Sequence, residues 1–252
     1  MKSKFISISA RFILPLVLLL CSGNSFVYGQ WSLKTGSARD ISVGANGSVW
    51  IVGTNPVLGG YGVHKWNGTG WTGIDGGGVR IAVDPGGNPW LLNDGGQIFR
   101  RVGNNWIQLP GAAKDIGIGK DGSVWVIGML AVNGGFSVHK WNGVNWDKID
   151  GGGMRIAVDP DGNPWMVNNG GQIFRHAGNN WIQLPGAAKD IGIGKDGSVW
   201  VVGMLAVNGG FSVHKWNGVN WDLIDGGATD ISVGPNGKPW VINQYNQVFE
   251  RQ

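Results

Sequence analysis

Residues 103–147 read GNNWIQLPGAAKDIGIGKDGSVWVIGMLAVNGGFSVHKWNGVNWD, and residues 178–222 repeat them with a single change, Val202 for Ile127. The offset is 75 residues. A fixed period marks architectures assembled by stacking one supersecondary unit. Each 75-residue stretch holds two related halves, one of 40 and one of 35 residues. Working outward, six unit openings appear: Asp40-Ile-Ser, Arg80-Ile-Ala, Asp115-Ile-Gly, Arg155-Ile-Ala, Asp190-Ile-Gly and Asp230-Ile-Ser. Each is followed by a turn and a tryptophan, at Trp50, Trp90, Trp125, Trp165, Trp200 and Trp240. A second tryptophan closes the first five units, at Trp71, Trp106, Trp146, Trp181 and Trp221. The sixth closure stands at the other end of the chain, where Gln30-Trp31-Ser-Leu-Lys-Thr-Gly matches Asn105-Trp106-Ile-Gln-Leu-Pro-Gly.

Each unit reads as four short strands. In the second they are Val79 to Val83, Pro89 to Leu92, Gln97 to Arg101 and Trp106 to Leu109. The turns between them, Asp84-Pro-Gly-Gly-Asn88, Asn93-Asp-Gly-Gly96 and Gly103-Asn-Asn105, carry residues suited to tight or left-handed backbone. The chain has 47 glycines and 15 tryptophans, which fits many turns joined by strands with large aromatic anchors. The expectation is an all-β, six-bladed β-propeller of four-stranded blades, its ring closed by the N-terminal strand completing the last blade. The blades run 38–77, 78–112, 113–152, 153–187, 188–227, and 228–252 plus 30–37. The paired tryptophans are expected to pack between blades, at about 4–6 kcal/mol each before entropy.

Lys2, Lys4 and Arg11 precede an apolar run from Phe12 to Cys21, with Val27 and Gly29 at cleavage positions. That order predicts a secretory signal over 1–29, with an apolar run too short to span a bilayer. The expected product is secreted, without membrane insertion and monomeric. Three of the 20 basic residues lie in this leader, which leaves 17 basic against 16 acidic residues. A nucleic-acid partner, which needs a basic face, is therefore not expected. Cys21 is the only cysteine, so the remainder can form no disulfide; Leu20 before it is a poor match to a lipidation signal.

Ala-Lys-Asp-Ile-Gly-Ile-Gly-Lys-Asp-Gly-Ser-Val-Trp-Val (113–126) and Gly-Gln-Ile-Phe-Arg followed by Asn-Asn-Trp (96–106) resemble tectonin repeats. The resemblance covers residues 30–252 and includes tachylectin-type and fish-egg lectins. It implies a six-bladed propeller that binds sugars, with bacterial lipopolysaccharide or O-methylated sugars as ligands. Some tectonin-type domains are instead adaptors inside larger intracellular proteins.

One edge of such a fold gathers the second-to-third loops and the links between blades. The candidate carbohydrate-binding residues there are Asp75, Asp150 and Asp225 in the links and Arg80 and Arg155 at inner-strand starts. Asn93, Asn168 and Asn243 in the short loops join them, with Tyr61, Phe136 and Phe211 in loops five residues longer. An exposed aromatic face suits stacking on a sugar ring, and fixed polar groups suit its hydroxyls; the bland alternative is that Asp and Asn only stabilise turns. Asp40, Arg80, Asp115, Arg155, Asp190 and Asp230 are expected to form a mutually paired ring around a channel, the alternative being an anion site.

His64, His139 and His214 fall on three separate blades and cannot share a metal. Asp159-Pro-Asp161-Gly-Asn163 hints at a calcium loop, but the second acid is missing at Gly86 and in Ala45-Asn-Gly47, which makes these hairpin turns. Glu250 is the only glutamate, and nucleophile, phosphate and metal motifs are absent from the sequence. Near-identical copies make equivalent sites, whereas catalysis by a carboxylate pair needs one asymmetric site. The expectation is a lectin that binds cell-surface glycans, without cofactor and without catalysis. The other class is a protein-binding or structural propeller. Asn46-Gly-Ser and Asn67-Gly-Thr are glycosylation acceptors if the source is a eukaryote.

Overall fold

The computed structural model describes residues 30–252; the expected leader and Cys21 lie outside the described residues. The architecture is all-β, built of curled antiparallel sheets in a β-propeller arrangement. The strands fall into two seven-stranded and two four-stranded sheets, within which the repeats of the sequence can be followed. The first uses the C-terminal part of Trp31–Val43, then Val49–Val57, Gly60–Trp66 and Trp71–Gly78. The second is Arg80–Val83, Pro89–Leu92, Gln97–Val102 and the N-terminal part of Asn105–Ile118. The rest of that long strand opens the third, followed by Val124–Val132, Gly135–Trp141 and Trp146–Gly153. Arg155–Val158, Pro164–Val167, Gln172–Ala177 and Asn180–Ala187 make the fourth. The fifth is Asp190–Ile193, Val199–Val207, Gly210–Trp216 and Trp221–Ala228. Asp230–Val233, Pro239–Ile242 and Gln247–Arg251 make the sixth, and the start of Trp31–Val43 pairs with its last strand, Trp31 opposite Arg251 and Leu33 opposite Phe249.

Two strands therefore run through from one unit into the next, where the sequence suggests separate strands and a link. In Asn105–Ile118 the partner of Gln97 is Ala112 while that of Ile98 is Leu109, a bulge at which the strand bends.

The apolar residues form six clusters, one between each pair of successive units. Trp90, Leu92 and Ile98 of the second unit meet Ile116, Ile118 and Val126 of the third. Trp240, Ile242 and Val248 of the sixth meet Ile41, Val43 and Ile51 of the first. The six opening tryptophans are 3–6% exposed and belong to these clusters.

All six inner strands line one cavity of about 80 Å³. At one end of these strands stands the expected charged ring. The carboxylates of Asp40, Asp115 and Asp190 accept the main-chain N–H of Ile81, Ile156 and Ile231 in the following unit. Arg80 reaches Asp40 (2.6 Å), Asp230 (3.2 Å) and Asp115 (3.5 Å), and Arg155 reaches Asp190 (3.4 Å) and Asp115 (3.8 Å). Four carboxylates thus share two guanidiniums out of water. Burial pushes Asp115 up to about 8 and Asp190 up to about 7, against the pull of Arg80. Asp40 is raised by the same burial, and Asp230 is raised well above the ordinary range by burial and by its neighbours Asp40 and Asp190. At the other end of the inner strands Lys195 is buried, donates to the Ile118 carbonyl, and is held down at about 8 by burial. Its counterpart Lys120, in an identical local sequence, is exposed.

A carboxyl group whose folded-state pKa is raised binds its proton more tightly in the native state than in the unfolded chain. The stability it contributes is complete below the unfolded value of 3.8 and is lost as pH rises through the folded values of about 7 and about 8. The melting temperature is expected to fall between pH 5 and pH 9. Asp230→Asn, which cannot ionise, should flatten that fall; scanning calorimetry at the two pH values checks both.

Candidate functional site

The tryptophans that close the units have a different role from those that open them. They are half-buried, and each donates its indole N–H to a main-chain carbonyl of the preceding unit. Trp106 reaches the carbonyl of Asp75 (2.8 Å), Trp31 that of Asp225 (2.9 Å), and Trp181 that of Asp150. Trp71, Trp146 and Trp221 reach Thr35, Pro110 and Pro185. Close approach of the indole requires glycine beside the acceptor. Gly76 has φ +110°, and a Cβ there would lie 2.7 Å from the Trp106 Nε1.

Where a long unit precedes a short one, these contacts leave a crevice. Between the first and second units it is lined by Leu58 and Gly59 of the long loop, Gly76 and Gly77 of the outer strand, and Asn93, Asp94, Gln97, Phe99 and Trp106 of the next unit. Its volume is about 490 Å³. The crevice between the fifth and sixth units has the same parts displaced by two periods: Gly209, Gly226, Gly227, Asn243, Gln247, Phe249 and Trp31. It measures about 90 Å³, with Tyr245 in its wall where the first has Gly95. Between the third and fourth units, Gly151 stands against Trp181 as Gly76 stands against Trp106, and Phe174 and Trp181 pack on the same cluster. Where a short unit precedes a long one, the Sδ atoms of Met129 and Met204 lie 3.4 and 3.5 Å from the positions a Cβ would take on Gly96 and Gly171. Those junctions carry a side chain where the others open.

The residues expected from sequence fall into four groups. Asn93 and Asn243 line crevices, and Asn168 holds the matching place. Each also bonds within its own loop: Asn93 Nδ2 donates to Gln97 Oε1 (2.8 Å), and Asn93 Oδ1 accepts the Gln97 N–H (2.8 Å). The pairs Asn168–Gln172 and Asn243–Gln247 repeat this, so the amides are fixed in place.

Asp75, Asp150 and Asp225 do not lie in links. They sit inside the outer strands, at bulges, because the chain stays paired to Gly78, Gly153 and Ala228. Their carbonyls seat the indoles, while the carboxylates of Asp75 and Asp225 pair with Arg101 (2.7 Å) and Arg251 (2.9 Å). Tyr61, Phe136 and Phe211 are half-buried against the unit clusters rather than exposed, and each is capped by a cation: Arg39 (4.1 Å), Lys114 (4.3 Å) and Lys189 (4.2 Å) from the ring centroid. Arg80 and Arg155 belong to the central ring and are apart from the crevices.

Trp31, Trp106 and Trp181, which sequence reading assigns to packing, stand at these junctions with Phe99, Phe174 and Phe249, to which it assigns no role. The signal for them is the glycine that follows Asp75, Asp150 and Asp225 wherever a long unit ends. His139 and His214 each meet a serine, Ser137 and Ser212, at 2.9 Å, and burial lowers the pKa of both. Asp159 accepts the N–H groups of Asp161 and Asn163, as a hairpin turn requires.

A family model described as "Tectonin domain" matches residues 78–165 and again 153–252. No curated protein matches the chain. Among solved structures, "YCF48 bound to D1 peptide" is 17% identical, with 89% of this chain and 97% of that one covered at a TM-score of 0.54. A streptogramin B lyase is 14% identical over 90% and 99%, TM-score 0.59. The calcium-binding protein regucalcin from Agrobacterium tumefaciens is 15% identical over 87% and 90%, TM-score 0.60. At these identities the likeness speaks for the fold alone.

Gly76→Val places a branched side chain against the Trp106 indole on left-handed backbone. The expected cost is about 1–3 kcal/mol of stability, with a red shift of tryptophan emission. Gly70→Val, at a position with nothing within 4 Å, should change neither; denaturant melts followed by fluorescence compare the two.

Proposed function

Because the chain belongs to the tectonin family, we propose that it is a secreted, multivalent lectin whose units close into a six-bladed ring and which takes a sugar at each of three equivalent junctions, two of which open as crevices. The reading is carried by one observation, the recurrence of the same wall at two junctions 150 residues apart: a phenylalanine, an indole anchored by its N–H, and a loop amide pair over glycine backbone. A pyranose presents an apolar face and a rim of hydroxyls, and this wall offers a counterpart to each. The pairing of Trp31 beside Gln247–Arg251 and the apolar cluster joining the sixth and first units support ring closure.

The number of sites follows from the order of unlike units, long before short, which occurs three times. One shallow site would bind near millimolar, about −4 kcal/mol. Three on a rigid scaffold facing arrayed glycans would gain about 10²–10⁴ in avidity. Cell-surface glycans are the ligand class, and lipopolysaccharide and O-methylated sugars are the first members to test. The function is binding without cofactor or catalysis: the acid of the first crevice, Asp94, is replaced at the matching positions by Asn169 and Gln244. A repeated site for glycoside cleavage would need its acids in every copy.

Calorimetric titration with a glycan selected on an array should give three sites per chain. Trp106→Leu should reduce this to two, and Trp106→Leu with Trp181→Leu to one. Uniform binding across the array, unaffected by free sugar, would overturn the lectin reading and favour a protein-binding propeller.

A further inference from the structure

The edge of the molecule that carries the long loops has a second property, independent of the crevices. Each long loop exposes a leucine: Leu58 is 99% exposed, Leu130 61% and Leu205 64%. Met129 and Met204 stand beside the latter two, and Tyr245, 61% exposed, projects from the same edge in the sixth unit. The leucine is not at one fixed position. The first loop carries Thr54-Asn55 and places its leucine at the tip, whereas the third and fifth carry Met-Leu and place Asn133 and Asn208 at the tip. The chemistry recurs although the register differs.

The same edge carries three exposed cations, Arg39, Lys114 and Lys189, one for each long loop, each laid over an aromatic ring. Of the acids in the second-to-third loops, Asp94 is exposed; Asp75, Asp150 and Asp225 are exposed in the outer strands beside the crevices, the first and last of them paired with Arg101 and Arg251, and Asp40, Asp115, Asp190 and Asp230 are buried in the central ring.

Leucines on three separate loops, distributed around the central cavity, do not form one groove for a peptide or helix. They are separated apolar points on one edge, each long loop adding a cation laid over its aromatic ring. The surface complementary to that edge is flat, continuous in two dimensions, apolar just below its boundary and negatively charged at it. We propose that this edge docks peripherally on anionic lipid bilayers. The leucines and methionines enter the headgroup boundary and Arg39, Lys114 and Lys189 meet lipid phosphates, while no strand crosses the membrane. Aliphatic loop tips supply depth, and basic residues within a Debye length of the surface supply attraction that weakens with salt.

The test uses the residue 30–252 chain and glycan-free vesicles, so its outcome does not depend on sugar binding. Cosedimentation with vesicles of phosphatidylcholine and phosphatidylglycerol at 3:1 should exceed that with phosphatidylcholine alone by about tenfold at 50 mM salt, and decline at 500 mM. Met129→Thr, Leu130→Asn, Met204→Thr and Leu205→Asn together install the pair that the first loop already carries, so the fold has a precedent for them. This variant should keep its melting temperature and lose about tenfold in vesicle binding. Lys114→Gln with Lys189→Gln should lose the preference for anionic vesicles. Absence of binding by the parent chain, or equal binding by the four-fold variant, would overturn the proposal. So would a parent chain that self-associates in sedimentation and becomes monomeric in that variant, which would make the edge a contact between copies.

Discussion

Three carboxylates that accept main-chain N–H groups hold the inner strands in relation to one another. Asp40, Asp115 and Asp190 each clip the first strand of the next unit at Ile81, Ile156 and Ile231. A carboxylate in that position must leave water, and burial raises its pKa. The two arginines of the short units offset the cost by spanning neighbouring acids, and the fourth acid, Asp230, stands where a third arginine would make the pattern regular. The arrangement is therefore short of positive charge, and protons supply the balance. Removing Asp40, Asp115 or Asp190 would strand both an N–H and part of a guanidinium, so the identities at these positions are mutually dependent.

The clip joins a long unit to the short unit after it, and the crevice opens at the same junction. These are two consequences of one alternation. The long unit ends in consecutive glycines, Gly76-Gly77-Gly78 and Gly151-Gly152-Gly153, over which its own loop folds closely: a Cβ on Gly77 would stand against the Leu58 carbonyl. That backbone has no side chains to fill the space in front of the next unit's phenylalanine and tryptophan. The short unit ends instead in Gly111-Ala112-Ala113, and the methionine of the loop that follows stands against Gly96 of its turn. An opening at one kind of junction and a filled seam at the other thus follow from which element brings the longer loop.

Much of this was legible in the residues. The period, the strand-and-turn grammar and the pairing of Arg80 and Arg155 with acidic neighbours follow from repeated spacing and from the cost of burying charge. The walls of the crevices were not legible, because neither motif around a closing tryptophan, Asn-Asn-Trp-Ile at Trp106 or Val-Asn-Trp-Asp at Trp146, says whether the ring faces an opening or a seam. Its environment is set by the unit before it. Tyr61, Phe136 and Phe211 read as exposed because their loops are long and glycine-rich; the cations that cap them come from another strand, and no spacing rule connects Lys114 to Phe136. Lys120 and Lys195 mark the limit most sharply: the stretches around them are identical, yet one amine lies in solvent and the other closes the mouth of the central cavity. Sequence fixes what a unit can do, and its neighbours select among the possibilities.

The first unit shows which features tolerate change. It differs from the third and fifth at Thr54, Asn55, Pro56 and Leu58 of the loop, yet it keeps a cation over an aromatic ring, with Arg39 on Tyr61 in place of lysine on phenylalanine. It also keeps one exposed leucine and one glycine floor beneath an indole. Substitutions have moved through the loop while the pairings remained. A cation laid on a ring is held at a set height above the edge, and a loop anchored by that ring presents its tip at a set distance from the crevice beside it. The spacing between tips and crevices is thus maintained by the stacked pairs rather than by particular loop residues. Long loops of two different sequences can for that reason present one surface, because what they share is the anchoring beneath them.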